Sequence, residues 1–377
     1  MPIARAMRER SRDVRFLLRE PGAGADLEGM AGMAREPAPI WSGPVRFTNP
    51  LNFGEILVNF GYADPVMLRK LIDAWRERLA HTAVVVANVA PAAHIAARTL
   101  GIPSFEISQG FHIPPPVFPA PPLRDWEPAP RARLEQADRA VLAAINAVFA
   151  AYGVAPLASI GELFAGRAAL LTYPELDIYP QRGPAEYFGI PRSGEGAALP
   201  PWPEGRGPRI FSYVYRYAPH LEQLLETLAA MECRTLMLCR GVDAALRAKF
   251  SGSSVYLAEV PMAASRLLEQ ADLVVCHGSH QMTAQSLLAG KPLLLLPSQL
   301  EQFLITRRVV RFGAGLGIAL DVAAPDFRAA LNELVANPGY GAKAREFAQR
   351  YAGHDRDAAL KTMIARCESA ACRARDT

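Results

Sequence analysis

The residues with the most chemical content lie between 271 and 302, in ADLVVCHGSHQMTAQSLLAGKPLLLLPSQLEQ. An apolar run, Leu273 to Cys276, stops at His277-Gly278-Ser279 and passes into a helical pattern. Gly278 permits a tight turn, and Ser279 is placed to cap the helix. The free N–H groups of such a helix start face the carboxyl edge of a sheet, an anion site suited to a phosphate or diphosphate. Neither GxGxxG nor GxxxxGK[ST] occurs here, so the dinucleotide and P-loop cradles do not apply. The next apolar run ends in PSQLEQ and sets Glu301 and Gln302 at the following helix start, a carboxylate and an amide able to grip hydroxyl groups. A phosphate-friendly terminus beside a hydroxyl-binding pair suits a sugar nucleotide. The same residues can also do no more than cap helices.

Those two strand ends need a sheet to hold them. Strands fit at 209–215, 234–239, 254–258, 272–276 and 292–296, with short helices between them. Such apolar runs alternating with helices describe an open parallel sheet covered on both faces. Residues 325–336, 341–352 and 356–371 follow as a helical tail. Upstream, Ala83 to Ala87 reads as a strand buried on both faces, and APAAHIAARTLGIP as a helix with a Gly-Ile-Pro stop before the strand Ser104 to Ser108. That is the βαβ grammar of an α/β domain. Residues 113–130 are rich in proline, an extended stretch that is either a surface loop or a wall of the cleft. Residues 191–207 carry Gly and Pro without periodicity and read as a linker. The expected organisation is an N-terminal α/β domain over 1–200 and a C-terminal one over 201–377, facing each other across a cleft. The final helix, 356–371, is expected to pack back on the first domain.

Composition narrows the classes. The 377 residues are half hydrophobic and 21% charged, enough for two domains with their own cores. A formal charge of +4, spread through the helices, lacks the concentrated patch of a nucleic-acid binder. No apolar window reaches the length of a membrane span, and the charged opening MPIARAMRERSRDVRF is no signal peptide. Five cysteines, at 233, 239, 276, 367 and 372, without a CxxC pair, point to a reducing, cytoplasmic compartment. No spacing suggests a metal site.

The stretch 277–302 resembles the donor-binding signature of the UDP-dependent glycosyltransferases of the GT-B fold, the superfamily of macrolide, flavonoid and glucuronosyl transferases. That signature runs His-Gly-Gly-x-Gly-Thr-x-x-Glu-Ala, then Gly-x-Pro, then Pro-x-x-x-Asp-Gln. Here it reads His277-Gly278-Ser279-His280-Gln281-Met282-Thr283-Ala284-Gln285-Ser286, Gly290-Lys291-Pro292 and Pro297-Ser298-Gln299-Leu300-Glu301-Gln302. The resemblance implies two doubly wound Rossmann-like domains and a nucleotide-sugar donor, UDP-linked in the first instance. It implies no nicotinamide, metal or other cofactor. It places His277 at the donor diphosphate, with Gly278, Ser279, His280, Gln281 and Met282 around it. Gln285 stands where the family's Glu holds the ribose hydroxyls, and Glu301 and Gln302 contact the transferred sugar. Val260 and Pro261 lie beside the base. Gln281 and Met282 add bulk where the family has Gly and Thr, and Gln285 gives up the charge-assisted bond of a carboxylate.

The first half departs further. Relatives open with a strand and a glycine-rich loop bearing the His that serves as general base, and both are missing before the helix at Ile3. Either the sequence starts late or the usual apparatus has been lost. Of the histidines, His81, His94, His220 and His354 read as ordinary. His112, at the carboxyl end of the strand Ser104 to Ser108, is the candidate base. Asn88 occupies a place where relatives often carry Asp. Phe111, Pro114 to Pro116, Phe118 and Trp126 supply apolar surface for a small lipophilic or lipid-linked acceptor, the latter with peripheral membrane contact, or else fill a loop contact. A nucleotide-binding helper of the same fold and a nucleotide-sugar 2-epimerase are the alternatives to a transferase.

Overall fold

The computed structural model describes residues 2–10, 12–20, 32–191, 199–258, 260, 262–319 and 324–373. The chain divides into two compact units. One comprises 1–173, 179–191 and 355–377, and the other 174–178 and 192–354. Part of the linker read at 191–207, residues 192–198, lies outside the described residues.

The first unit opens with α1 (Pro2–Glu9) and a parallel pair, β1 (Arg15–Leu18) and β2 (Ala34–Pro37). It continues through α2 (Phe53–Asn59), α3 (Pro65–Leu79), β3 (Val85–Ala87), α4 (Pro91–Thr99), β4 (Ser104–Ser108), α5 (Arg131–Ala151) and β5 (Ala168–Leu170). Strands β3, β4 and β5 form a parallel sheet with β4 in the middle. α3 starts where it does because the Asp64 side chain accepts from the N–H groups of Val66 and Met67, and Pro65 needs no partner in the first turn. Leu68, Ile72, Trp75 and Leu79 then recur at helical spacing and are buried against Val141, Ile145 and Phe149 of α5. Each such side chain stabilises the unit by roughly 1.5–3 kcal/mol.

The proline-rich stretch is built into this core. Pro114, Pro115, Ala120 and Leu123 are buried, whereas Pro116 and Val117 are exposed. A buried clamp fixes it: the Asp138 carboxylate of α5 accepts from the Ala120 N–H at 2.7 Å and from the Asn52 amide at 2.9 Å. Leu123 N–H donates to Leu51 O at 2.8 Å, and Arg124 donates to Pro50 O at 3.0 Å. The packing space is so closed that a Cβ on Gly54 would lie 2.1 Å from Asp138 Oδ1.

The second unit runs β6 (Arg209–Tyr215), α6 (Leu221–Ala229), β7 (Arg234–Arg240), α7 (Ala244–Lys249), β8 (Val255–Ala258), α8 (Ala264–Gln270) and β9 (Leu273–Cys276). It ends with α9 (His280–Leu288), β10 (Leu293–Leu295), α10 (Leu300–Phe312), β11 (Gly315–Gly317), α11 (Phe327–Ala336) and α12 (Pro338–Arg350). All six strands are parallel, in the order β11-β10-β9-β6-β7-β8. Every residue of β9 and β10 is buried, as strands covered on both faces must be. The order steps outward from β6 in one direction and from β9 in the other, so the strand order reverses between these two neighbours. The last helix, α13 (Arg356–Arg373), belongs to the first unit, where Ile364 and Cys367 are buried with Met7 of α1.

Burial pushes the Asp138 carboxyl up to about 6, against the two hydrogen bonds that favour its ionised form. A carboxyl raised in the folded state contributes stability that is full below its unfolded value of 3.8 and is lost as pH rises through about 6. Measured against Asp138→Asn, wild-type stability should therefore fall by on the order of 3 kcal/mol between pH 4 and 7 and then level off. Urea unfolding of both proteins across that range gives the comparison, and a difference independent of pH refutes the assignment.

Candidate functional site

In parallel α/β sheets, ligands settle at the carboxyl edge where strand order reverses. Here that place is the end of β6 and β9, in register through Tyr213 and Cys276. His277 follows β9 directly and is 2% exposed. Its Nδ1–H donates to the carbonyl of Tyr213 at 3.2 Å, which leaves the Nε2 lone pair facing away from that bond. Nε2 is buried and has no partner among the described residues, and the same holds for Ser212 Oγ on β6. Each such group costs about 1–3 kcal/mol. Burial lowers the His277 pKa, only partly offset by the Tyr213 carbonyl, so the ring is uncharged at neutral pH.

Gly278 turns the chain at φ +80°, and a Cβ there would stand 3.0 Å from Thr306 Oγ1 and 3.1 Å from Gln302 O. Both the sign of φ and the contact explain the glycine. Ser279 does occupy the N-cap position of α9, but its side chain makes no capping bond. Its backbone is extended, as an N-cap residue's is, but its hydroxyl takes none of the first-turn amides. The capping expected from its type is therefore corrected.

His280 is 4% exposed, and burial brings its pKa down to about 4 even though the Asp177 charge acts the other way. Asp177 comes from the short segment 174–178, which the second unit incorporates and which Arg308 holds by donating to the Glu175 carbonyl at 3.1 Å. Gln281 and Gln285 are half-buried and Met282 is buried. Glu301 is half-buried at the start of α10, its carboxyl raised by that burial alone. Gln302 turns back: its Oε1 accepts from the Ser298 N–H at 2.9 Å and from the Ser298 hydroxyl at 3.1 Å. Gln302 therefore does fasten its own helix start, while no hydrogen bond or ion pair among the described residues engages the Glu301 side chain. Val260 is 62% exposed beyond β8, and Pro261 lies outside the described residues.

Three tyrosines absent from the sequence reading complete the neighbourhood. Tyr213, Tyr215 and Tyr217 alternate along the end of β6. The Tyr213 and Tyr215 rings lie 5.0 and 4.2 Å from the His277 ring, and Tyr217 stacks on Tyr215 at 5.1 Å and 5°. The period-2 run YVYRY was the available signal. Burial and the neighbouring Tyr213 push the Tyr215 phenol up to about 12.

In the first unit, His112 closes a short turn after β4. Its Nδ1 lies 3.4 Å from Ser108 Oγ, and the Phe111 ring meets it edge-on at 4.8 Å. His94 is more than packing. Its Nε2–H faces Glu106 at 2.9 Å and its Nδ1 faces the Ser104 hydroxyl at 2.9 Å, all three residues being fully buried. The other Glu106 oxygen accepts from the Val89 N–H at 2.7 Å, pinning a β-branched residue at φ +58° beside the exposed Asn88. Asn88 donates to the Ile107 carbonyl at 2.7 Å.

Burial brings His112 down to about 4. It should stay uncharged from pH 5.5 to 8, so its ring-proton NMR shift should be flat over that range. A midpoint near 6.5 would show an open, solvated ring instead.

Residues 235–360 match the family model described as "Erythromycin biosynthesis protein CIII-like, C-terminal domain". A 76-residue stretch is 33% identical to the UDP-sugar-dependent glycosyltransferase 52 of Dictyostelium discoideum, covering 20% of this chain and 4% of that protein's length. Among solved structures, the glycosyltransferase VinC in complex with DTDP is similar over 99% of this chain and 95% of its own, with a TM-score of 0.67 at 16% identity. The spinosyn rhamnosyltransferase SpnG complexed with spinosyn aglycone is similar over 96% and 95%, with a TM-score of 0.64 at 17% identity. Among the described residues no helix is long and apolar enough to cross a membrane. Over nearly its full length the chain thus shares its fold with solved glycosyltransferases, and residues 235–360 carry the match to the family model.

Proposed function

We propose that the protein transfers a sugar from a nucleoside diphosphate sugar, UDP- or TDP-linked, to a hydroxyl of a small lipophilic acceptor. The observation that carries this reading is His277: a buried imidazole with an unpartnered Nε2, at the strand-order reversal and immediately before the start of α9. In the reaction the acceptor oxygen bonds to the anomeric carbon and the bond from that carbon to the phosphate oxygen breaks. The nucleoside diphosphate leaves with the electron pair, and the acceptor proton passes to a base.

The second unit would hold the leaving group. The N–H groups at the start of α9 favour an anion, and Glu301, half-buried and without a partner among the described residues, is suited to sugar hydroxyls. His112 remains the candidate base: uncharged, it can accept a proton, though at about 4 it is a weaker base than free imidazole. The TDP of VinC and the aglycone of SpnG are the donor and acceptor chemistries seen in proteins of this fold.

His277 gives the reading a distinctive consequence. Neutral when free, its Nε2 can donate to a phosphate oxygen only after taking up a proton. Binding of UDP or TDP should therefore draw in close to one proton, and affinity should weaken by up to about tenfold per pH unit above the bound-state pKa. Titration calorimetry in buffers of different ionisation enthalpy counts the proton directly. His277→Ala should abolish the uptake and weaken binding. Glu301→Ala should weaken the UDP-sugar more than UDP itself. If UDP, TDP and GDP all fail to bind, the transferase reading falls in favour of a nucleotide-blind helper.

A further inference from the structure

The three tyrosines at the end of β6 are not accounted for by the fold. A central strand of a parallel sheet is ordinarily apolar on both faces. Ile210, Phe211, Ser212 and Val214 are buried, as this requires, but Tyr213 and Tyr215 are only half-buried and Tyr217 is 69% exposed. An exposed aromatic side chain normally samples several rotamers. Tyr217 is instead held flat on Tyr215, with centroids 5.1 Å apart and planes 5° from parallel, and Tyr215 lies 4.2 Å from the buried His277 ring. The stack therefore begins in the core, at the reversal of strand order, and ends in a ring whose outer face is open.

We infer that Tyr217, backed by Tyr215, is a binding platform that takes a planar aromatic ring on its outer face, beside the anion site proposed above. The location rests on that reading, but the platform has its own physical basis. Parallel, offset stacking is favourable between any two planar rings, and a ring already fixed by a stack behind it loses little freedom when another is added. The step from His277 to Tyr217 spans two ring separations, 4.2 and 5.1 Å, so a planar group there lies within reach of an anion held at the α9 start. Two sources carry such a ring: the base of the nucleotide donor and an aromatic hydroxyl acceptor.

Calorimetry on the full chain separates them. The probes are UDP, TDP, inorganic pyrophosphate and 4-methylumbelliferone, and the variants are Tyr217→Ala and Tyr217→Phe. Because Tyr217 is exposed, both variants should fold, which circular dichroism confirms independently. Stacking of one base is worth about 1–3 kcal/mol, so Tyr217→Ala should weaken the planar ligand by roughly 5- to 150-fold. Tyr217→Phe should restore affinity to within about twofold, since the ring and not the hydroxyl is used. Pyrophosphate should bind all three proteins equally. A loss confined to UDP and TDP assigns the platform to the donor base, and one confined to 4-methylumbelliferone assigns it to the acceptor. If no planar probe binds the wild type, or Tyr217→Ala binds them all as well as the wild type, the platform is refuted. Failure of pyrophosphate and both nucleotides with 4-methylumbelliferone still responding to Tyr217→Ala refutes the donor site alone.

Discussion

The pairing of β6 with β7 on one side and β9 on the other sets the rest of the second unit. Seven residues of β6 are in register with β7 and four with β9. Parallel neighbours require right-handed crossovers, so once β6 is central the helices that follow β6 and β9 leave the sheet in opposite directions. The reversal of strand order falls beside Tyr215 and His277 for that reason. The apolar content of β9 and β10 fixes their depth, and depth in turn strips solvent from His277. The lowered basicity of that ring is thus a consequence of sheet order.

The first unit carries a dense network of buried polar and charged side chains. Asp138, Glu55, His94 and Glu106 are all buried, and each is bonded within the unit. Glu55, for example, accepts from Arg133 at 2.6 Å and from the Leu51 N–H at 2.8 Å. Such networks specify one arrangement of the chain, because breaking any member strands another in a low-dielectric interior. They explain how a proline-rich stretch and a left-handed Val89 are both held. In the second unit, His277 Nε2 and Ser212 Oγ have no hydrogen-bond partner among the described residues, as is also true of Thr283 Oγ1, Arg209 Nε and Arg234 Nε. Lying at the reversal of strand order, His277 Nε2 and Ser212 Oγ are the members of this set that the proposed ligand could complete.

Much of this was legible in the sequence where a local rule decides. The apolar runs of β9 and β10, the turn at Gly278 and the helix starts at 280 and 300 follow from periodicity and from the freedom of glycine. Ser279 shows the limit. Residue type predicts a cap, but the first-turn amides of α9 are left uncapped by it. Gln302 shows the converse, since its reach back to Ser298 depends on a rotamer that spacing does not fix. The His94–Glu106–Ser104 network joins a helix face to alternate residues of β4, and only the packing of α4 on that strand brings them together. The segment 174–178 carries no periodicity, so nothing in the sequence assigns Asp177 to the neighbourhood of His280. YVYRY was readable as an alternation but resembled ordinary strand composition.

The departures from the family signature acquire a physical meaning from these surroundings. His277 and His280 are both uncharged at neutral pH, and Glu301 is held toward its neutral form by burial. Arg216, next to Tyr215, is paired with Asp243 at 3.2 Å. Fixed cations thus contribute little among these residues, and for the proposed diphosphate ligand attraction would come from the amides at the start of α9 and from a proton acquired on binding. Met282 and Gln281 are compatible with such a site, because amide groups bind at contact distance and do not need the long-range field of a charged residue. Bulk beside the helix start narrows the approach without removing those donors. Affinity for the proposed ligand would then depend on shape and on rings that stack, and the Tyr213–Tyr215–Tyr217 ladder provides aromatic surface where formal charge is missing.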